Sequence, residues 1–140
     1  LKHLRAIEPT SVLDVGAGSG ILSIAAEQFG HSAYGIELDP VAVDNARVNV
    51  ERNNCQRVTL RVGTIEPEEI ERPWVLVNIL AKIIMSIHAE IDRVTSDHLL
   101  LSGILLTQRA ELLAYFPAFK VIDETQLGPW GCAYLRRVKA

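Results

Sequence analysis

A chain of 140 residues has the length of one domain with a single sizeable core. With 49% apolar and 22% charged residues it has an ordinary globular balance, which excludes a disordered chain. A formal net charge of −3 argues against a direct nucleic-acid partner, and no apolar run nears the ~20 residues that a bilayer requires, so no membrane partner is expected.

Val12 to Val15 is a short apolar strand, and Gly20 to Phe29 reads as a helix with Leu22, Ala25, Ala26 and Phe29 on one face. Gly30 is a helix stop, and Ala33 to Glu37 is a second strand. Asp39-Pro40 has the form of an N-cap followed by proline at the first helical position, and Val43, Ala46 and Val50 then recur at helical spacing. Val58 to Val62 alternates apolar and polar residues, as an edge strand does. Trp74 to Asn78 is apolar on both faces, as the middle of a parallel sheet is. A helix is predicted from about Leu80 to Val94, then a buried strand in "HLLLSGIL", then a helix through Glu111 to Tyr115. The last two strands, "FKVIDETQ" and "CAYLRRV", have only a Gly128-Pro129 loop between them. They are therefore an antiparallel hairpin.

The sum is five βα units and a hairpin: a doubly wound, mostly parallel seven-stranded α/β sheet with an antiparallel last strand. Residues 1–140 read as one domain. The chain begins with Leu1 rather than Met, which suggests a domain excised from a longer protein, and no signal peptide is visible. Cys55 and Cys132 lie far apart with no metal-type spacing, so they read as ordinary reduced thiols in a cytoplasmic protein, and no metal site is expected. His3, His31 and His98 fall at element edges and His88 in the helix after the fourth strand. None has a ligand partner at metal spacing.

The most informative stretch is "LDVGAGSGIL", Leu13 to Leu22. Gly16, Gly18 and Gly20 follow a strand and open a helix that starts near Ser19, whose free N–H groups face whatever lies beyond. Glu37 ends the second strand 21 residues after Gly16, where a carboxylate can accept both hydrogen bonds of a ribose diol. A dinucleotide fingerprint needs glycine at position 21, but Ile21 stands there, and the hairpin leaves no second half-fold for a nicotinamide. A nicotinamide-dependent oxidoreductase is thus disfavoured, and a smaller adenosine ligand fits better.

"VLDVGAGSG", "YGIELD" and the antiparallel seventh strand resemble the class I S-adenosylmethionine-dependent methyltransferases. "GSGILSIAA", "ELDPVAVDNARVNVERN", "LVNILA" and "LLSGIL" narrow this resemblance to the catalytic domain of the ribosomal protein L11 methyltransferase (PrmA) family. The resemblance implies an enzyme with S-adenosylmethionine as cofactor and S-adenosylhomocysteine as product. Its substrate would be lysine or N-terminal amines of a protein such as a ribosomal protein. It implies that Asp14 supports the glycine loop and the cofactor's amino end, and that Gly16, Ala17 and Gly18 pass beneath its methionine part. Glu37 would hold the ribose hydroxyls, Leu38 would pack near the adenine, and Asn78 would lie beside the transferred methyl group. A plain N-cap of the following helix is the other reading of Asn78.

Two positions depart from the family pattern. Thr64 stands where the family has an acid that reaches the adenine amino group, with Glu66 as a nearby substitute, and Pro73 stands where it has an aspartate. The family also carries a Thr- and Gly-rich closing segment and a substrate-recognising domain ahead of the region matched by residue 1. Two outcomes stay open: an active methyltransferase, or a cofactor-binding domain that is catalytically incomplete without its recognition part. Trp130 after Gly128-Pro129 reads as hairpin packing or as the lining of a substrate mouth.

Overall fold

The computed structural model describes residues 1–139, which fall into two compact units, Leu1–Glu69 and the described residues from Ile70 onward. The first unit opens with a single helical turn, α1 (Lys2–Arg5). It continues as β1 (Ser11–Val15), α2 (Ile21–Gln28), β2 (Ser32–Glu37), α3 (Pro40–Arg52) and β3 (Val58–Val62). Its strands are parallel in the order β3-β2-β1, with Asp14 level with Gly35 and Glu37 level with Val62. Val12, Leu13, Ala26, Ala33, Val43 and Ala46 are at most 1% exposed and form its core. A fully buried valine or leucine stabilises the fold by roughly 1.5–3 kcal/mol.

The second unit contains β4 (Arg72–Asn78), α4 (Ala81–Ser86), α5 (His88–Val94), β5 (Thr95–Leu105), a 3-10 turn (Leu106–Gln108), α6 (Arg109–Leu113), β6 (Phe119–Leu127) and β7 (Trp130–Arg137). β4 and β5 are parallel, and β7 lies between β5 and β6, antiparallel to both. Val75, Leu76, Ile84, Ile91, Leu99, Leu101, Leu112 and Leu135 are buried around it. The seven-stranded, mostly parallel α/β sheet with an antiparallel last strand is the expected fold class. Among the described residues no helix is long and apolar enough to cross a membrane.

Four local expectations are corrected. The helix predicted over Leu80–Val94 is two helices broken at Ile87. There Ser86 Oγ donates to the Ile83 carbonyl at 2.7 Å and the His88 ring lies 2.8 Å from the Met85 carbonyl, so side chains compete for the carbonyls of the last turn. No helix follows β3, because the acidic stretch from Gly63 to Glu71 contains Pro67 and offers no repeating apolar face, so there are four strand–helix units rather than five. The helix expected through Glu111 to Tyr115 is the 3-10 turn followed by α6, ending at Leu113. His98 is not at an element edge: its ring stacks on Trp74 at 4.3 Å inside β5, and burial lowers its pKa against the opposing pull of Asp97. His31 is fully buried, accepting from the Thr10 N–H at 3.1 Å and donating to the Leu4 carbonyl at 2.7 Å, which ties α1 down.

Candidate functional site

The carboxyl ends of β1, β2 and β3 lie side by side because the strands are parallel, and every candidate cofactor residue except Asn78 sits there. The chain leaves β1 at Val15. It is held at once by the N–H groups of Gly16 and Ala17, which both donate to the Ile36 carbonyl at 2.9 and 3.0 Å. Gly16, Gly18 and Gly20 have φ of +75°, +55° and +83°, backbone that L side chains rarely adopt. The Gly20 N–H closes the turn onto the Ala17 carbonyl at 2.8 Å, and Asn49 from α3 donates to the Ser19 carbonyl at 2.9 Å. Gly20 is thus the N-cap and α2 begins at Ile21, later than the expected start near Ser19.

The face α2 buries also differs from expectation: Ser23, Ile24 and Ala26 are buried, whereas Leu22, Ala25 and Phe29 are half-buried. Ser23 is the reason, since its hydroxyl donates to Asp14 Oδ2 at 2.7 Å beneath the loop. Asp14 is 1% exposed, and its Oδ1 has no hydrogen-bond partner among the described residues. Burial pushes the Asp14 carboxyl up to about 6; Ser23 pulls it down, and the charge of Glu37 adds to the rise. Sequence reasoning missed Ser23 and also Gly35. A Cβ on Gly35 would stand 2.7 Å from Leu60 and 3.0 Å from Ala17, so a bare strand position lets the loop lie flat on β2. Ala17 is buried there, which leaves only its backbone able to face a ligand.

Because the folded-state pKa is above the ordinary 3.8, the folded chain holds the Asp14 proton longer than the unfolded chain does. The contribution from protonated Asp14 is complete below pH 3.8 and is lost as pH rises through about 6, a span worth about 3 kcal/mol. Asp14→Asn should therefore gain stability relative to the parent chain between pH 4 and pH 6, as read by urea unfolding across that range. An equal pH profile in both chains would contradict the account of Asp14.

Glu37 ends β2 with its carboxylate pinned, Oε2 accepting from the Leu38 N–H at 2.6 Å, while Oε1 has no partner among the described residues. The Leu38 side chain beside it is 64% exposed, an apolar surface left in water at the strand end. Asp39 caps α3 through the Val41 N–H at 2.9 Å, as the Asp-Pro signal predicts. After β3, Thr64 is exposed on a loop that Arg61 grips: one guanidinium nitrogen donates to the Thr64 carbonyl at 3.0 Å and to Glu69 at 2.8 Å. Glu66 is also exposed on this loop, with Oε1 3.8 Å from where a Cβ on Gly63 would lie.

Asn78 belongs to the second unit, exposed at the carboxyl end of β4. The N-cap reading is corrected: α4 is capped at Leu80 with no side-chain hydrogen bond, and the Asn78 carboxamide makes none among the described residues. It instead lines an open recess of about 480 Å³ with Ile79, Leu80, Ile83, Gly103 and Trp130. Trp130 is 47% exposed at the start of β7, so its ring is available at that mouth. Pro73, where the family has an aspartate, is exposed in β4 at a shift in register between Arg72 and Trp74.

A family model described as ribosomal protein L11 methyltransferase (PrmA) matches residues 2–138. A ribosomal protein L11 methyltransferase of Thermoanaerobacter pseudethanolicus is 36% identical over 133 residues, which is 91% of this chain and 43% of that protein. One of Geobacillus thermodenitrificans is 41% identical over 107 residues, 73% of this chain and 34% of that protein. The chain thus spans less than half the length of these relatives. The crystal structure of a ribosomal protein L11 methylase from Lactobacillus delbrueckii subsp. bulgaricus has the same fold, with a TM-score of 0.87 at 22% identity, over 97% of this chain and 78% of that one. With a family model matched along nearly its whole length, the chain belongs to the ribosomal protein L11 methyltransferase family.

Proposed function

We propose that residues 1–140 are the cofactor-binding and methyl-transferring domain of a cytoplasmic protein methyltransferase. It would use S-adenosylmethionine to methylate lysine or N-terminal amines of a ribosomal protein. The observation that carries this reading is the orphaned Oδ1 of buried Asp14 under a loop of left-handed glycines. A buried carboxylate oxygen without a donor is costly unless a ligand supplies one. The cofactor's ammonium group is such a donor, directly or through water. The residues present fit the rest of that molecule as well. Gly16, the Ala17 backbone and Gly18 offer a side-chain-free floor, Glu37 a free oxygen for the ribose hydroxyls, Leu38 an apolar face for the adenine, and Thr64 a neutral contact at its rim.

When bound, the cofactor supplies a methyl group already activated on a positive sulfur. Asp14, the Gly16–Gly18 backbone and Glu37 would hold that molecule, and it would give up its methyl group to an acceptor nitrogen that loses a proton, the S–C electrons staying with the sulfur of the departing product. The protein must therefore present a neutral amine in line and exclude water. The Asn78 carboxamide oxygen can accept a hydrogen bond from that amine and orient its lone pair. The recess of Ile79, Leu80, Ile83 and Trp130 around it is apolar, which favours the uncharged amine. Two free cysteines agree with a reducing cytoplasm.

Transfer of labelled methyl groups from S-adenosylmethionine to ribosomal protein L11, catalysed by the protein in its full natural length, tests the reading. Label on L11 amines is expected. Cofactor binding without label on L11 or other ribosomal proteins would leave only a binding module.

A further inference from the structure

We propose that Gly103 is a positioning residue: the side chain it lacks is the space in which the Asn78 carboxamide stands, and this aims Asn78 into the recess. The inference rests on the reading of Asn78 as the group that meets the acceptor amine.

β5 carries one extra residue opposite β7. Leu101 pairs with Ala133 and Ile104 with Gly131, so Ser102 and Gly103 together face Cys132. On its other side Ser102 remains in register with Asn78 of β4. A bulge of this kind bends one strand and re-aims the side chains beside it. Gly103 takes φ +71° there, and a Cβ built on it would stand 2.7 Å from Asn78 Oδ1 and 3.9 Å from both Asn78 Cγ and the Ile79 carbonyl. Even weak C–H···O contacts do not close below about 3.3 Å. The atom in the way is the far end of a side chain, not backbone. An added methyl would therefore be relieved by turning Asn78 rather than by moving the strand. No hydrogen bond among the described residues opposes that turn. The empty position at Gly103 is what permits its aim.

Two effects of losing Gly103 are separable. Alanine adds both backbone strain at positive φ and the Cβ. Asparagine also adds the Cβ but tolerates positive φ far better. In the full-length protein, Gly103→Ala is expected to lower kcat by about tenfold or more, the size of effect that a misplaced catalytic contact produces. Affinity for S-adenosylhomocysteine should stay within about twofold, because that product lacks the transferred methyl group, the part of the cofactor that Asn78 is proposed to stand beside. Gly103→Asn is expected to keep the kcat deficit. In an Asn78→Ser background, whose shorter side chain clears the Cβ, Gly103→Ala should cost little more.

Full kcat in Gly103→Asn would assign the effect to backbone strain and overturn the inference. So would full kcat in a folded Gly103→Ala protein, or an undiminished further loss in the Asn78→Ser background. If Asn78→Ala itself retains full kcat, it is the underlying reading of Asn78 that fails, and that result is recognisable without any Gly103 variant.

Discussion

Replacing Asn78 with alanine is expected to lower methyl transfer by about 100-fold or more, the lower end of what one positioned proton acceptor contributes. Affinity for S-adenosylhomocysteine should change by no more than about twofold, since that product lacks the transferred methyl group that Asn78 is proposed to stand beside, and the carboxamide bonds to nothing among the described residues. Stability should also hold. The carboxamide is exposed and does not cap α4, so its removal strands no partner. This combination of lost turnover, retained cofactor and retained fold is what separates a group aimed at the acceptor from a structural one. Asn78→Asp is expected to keep part of the activity, because a carboxylate still accepts from the amine. Steady-state kinetics with calorimetry on the same preparations checks it. Turnover of Asn78→Ala within a factor of three of the parent would remove Asn78 from the chemistry.

Glu37→Ala is expected to weaken S-adenosylhomocysteine binding by about 10- to 100-fold, the net loss of about one charge-assisted hydrogen bond at roughly 1.5–3 kcal/mol. The carboxylate is already fixed by the Leu38 N–H at 2.6 Å, so little ordering entropy is paid when a ribose arrives. Glu37→Gln should fall between the two, retaining one acceptor oxygen without the charge. The residue is half-buried at the strand end, and its removal should leave the unfolding midpoint nearly unchanged. Equal affinity in Glu37→Ala and the parent chain would remove its proposed role.

The sequence displays the fold through punctuation and period. Asp39-Pro40 marks the start of α3, the two-faced apolar "WVLVN" marks an interior strand, and the Gly128-Pro129 turn leaves room for nothing but a hairpin. The glycine loop and Glu37 are legible for a similar reason, since backbone needs and a fixed strand-end spacing leave marks on residue type. What escapes notice depends on contacts between distant positions. Ser23 looks like a polar interruption of an apolar face until Asp14 is seen beneath it. Gly35 looks like a weak spot in a strand until Ala17 and Leu60 crowd it from above. Arg61 reads as the polar side of an alternating strand, yet it organises the loop that presents Thr64. The break at Ile87 likewise depends on side chains capturing carbonyls, which helical periodicity does not record. Asn78 is legible as a strand-end residue, but only the structure shows that α4 is capped at Leu80 and that the Asn78 side chain does not cap it.

The loop from Gly16 to Gly20, with Asp14 below and Glu37 beside it, is proposed to hold S-adenosylmethionine rather than a dinucleotide. Calorimetric titration of S-adenosylhomocysteine into the chain, paired with NAD as the competing ligand, tests it most directly. Saturable one-to-one binding and a raised melting temperature are expected with S-adenosylhomocysteine, and neither with NAD. Absence of heat and of any thermal shift with S-adenosylhomocysteine, or stabilisation by NAD alone, would contradict it.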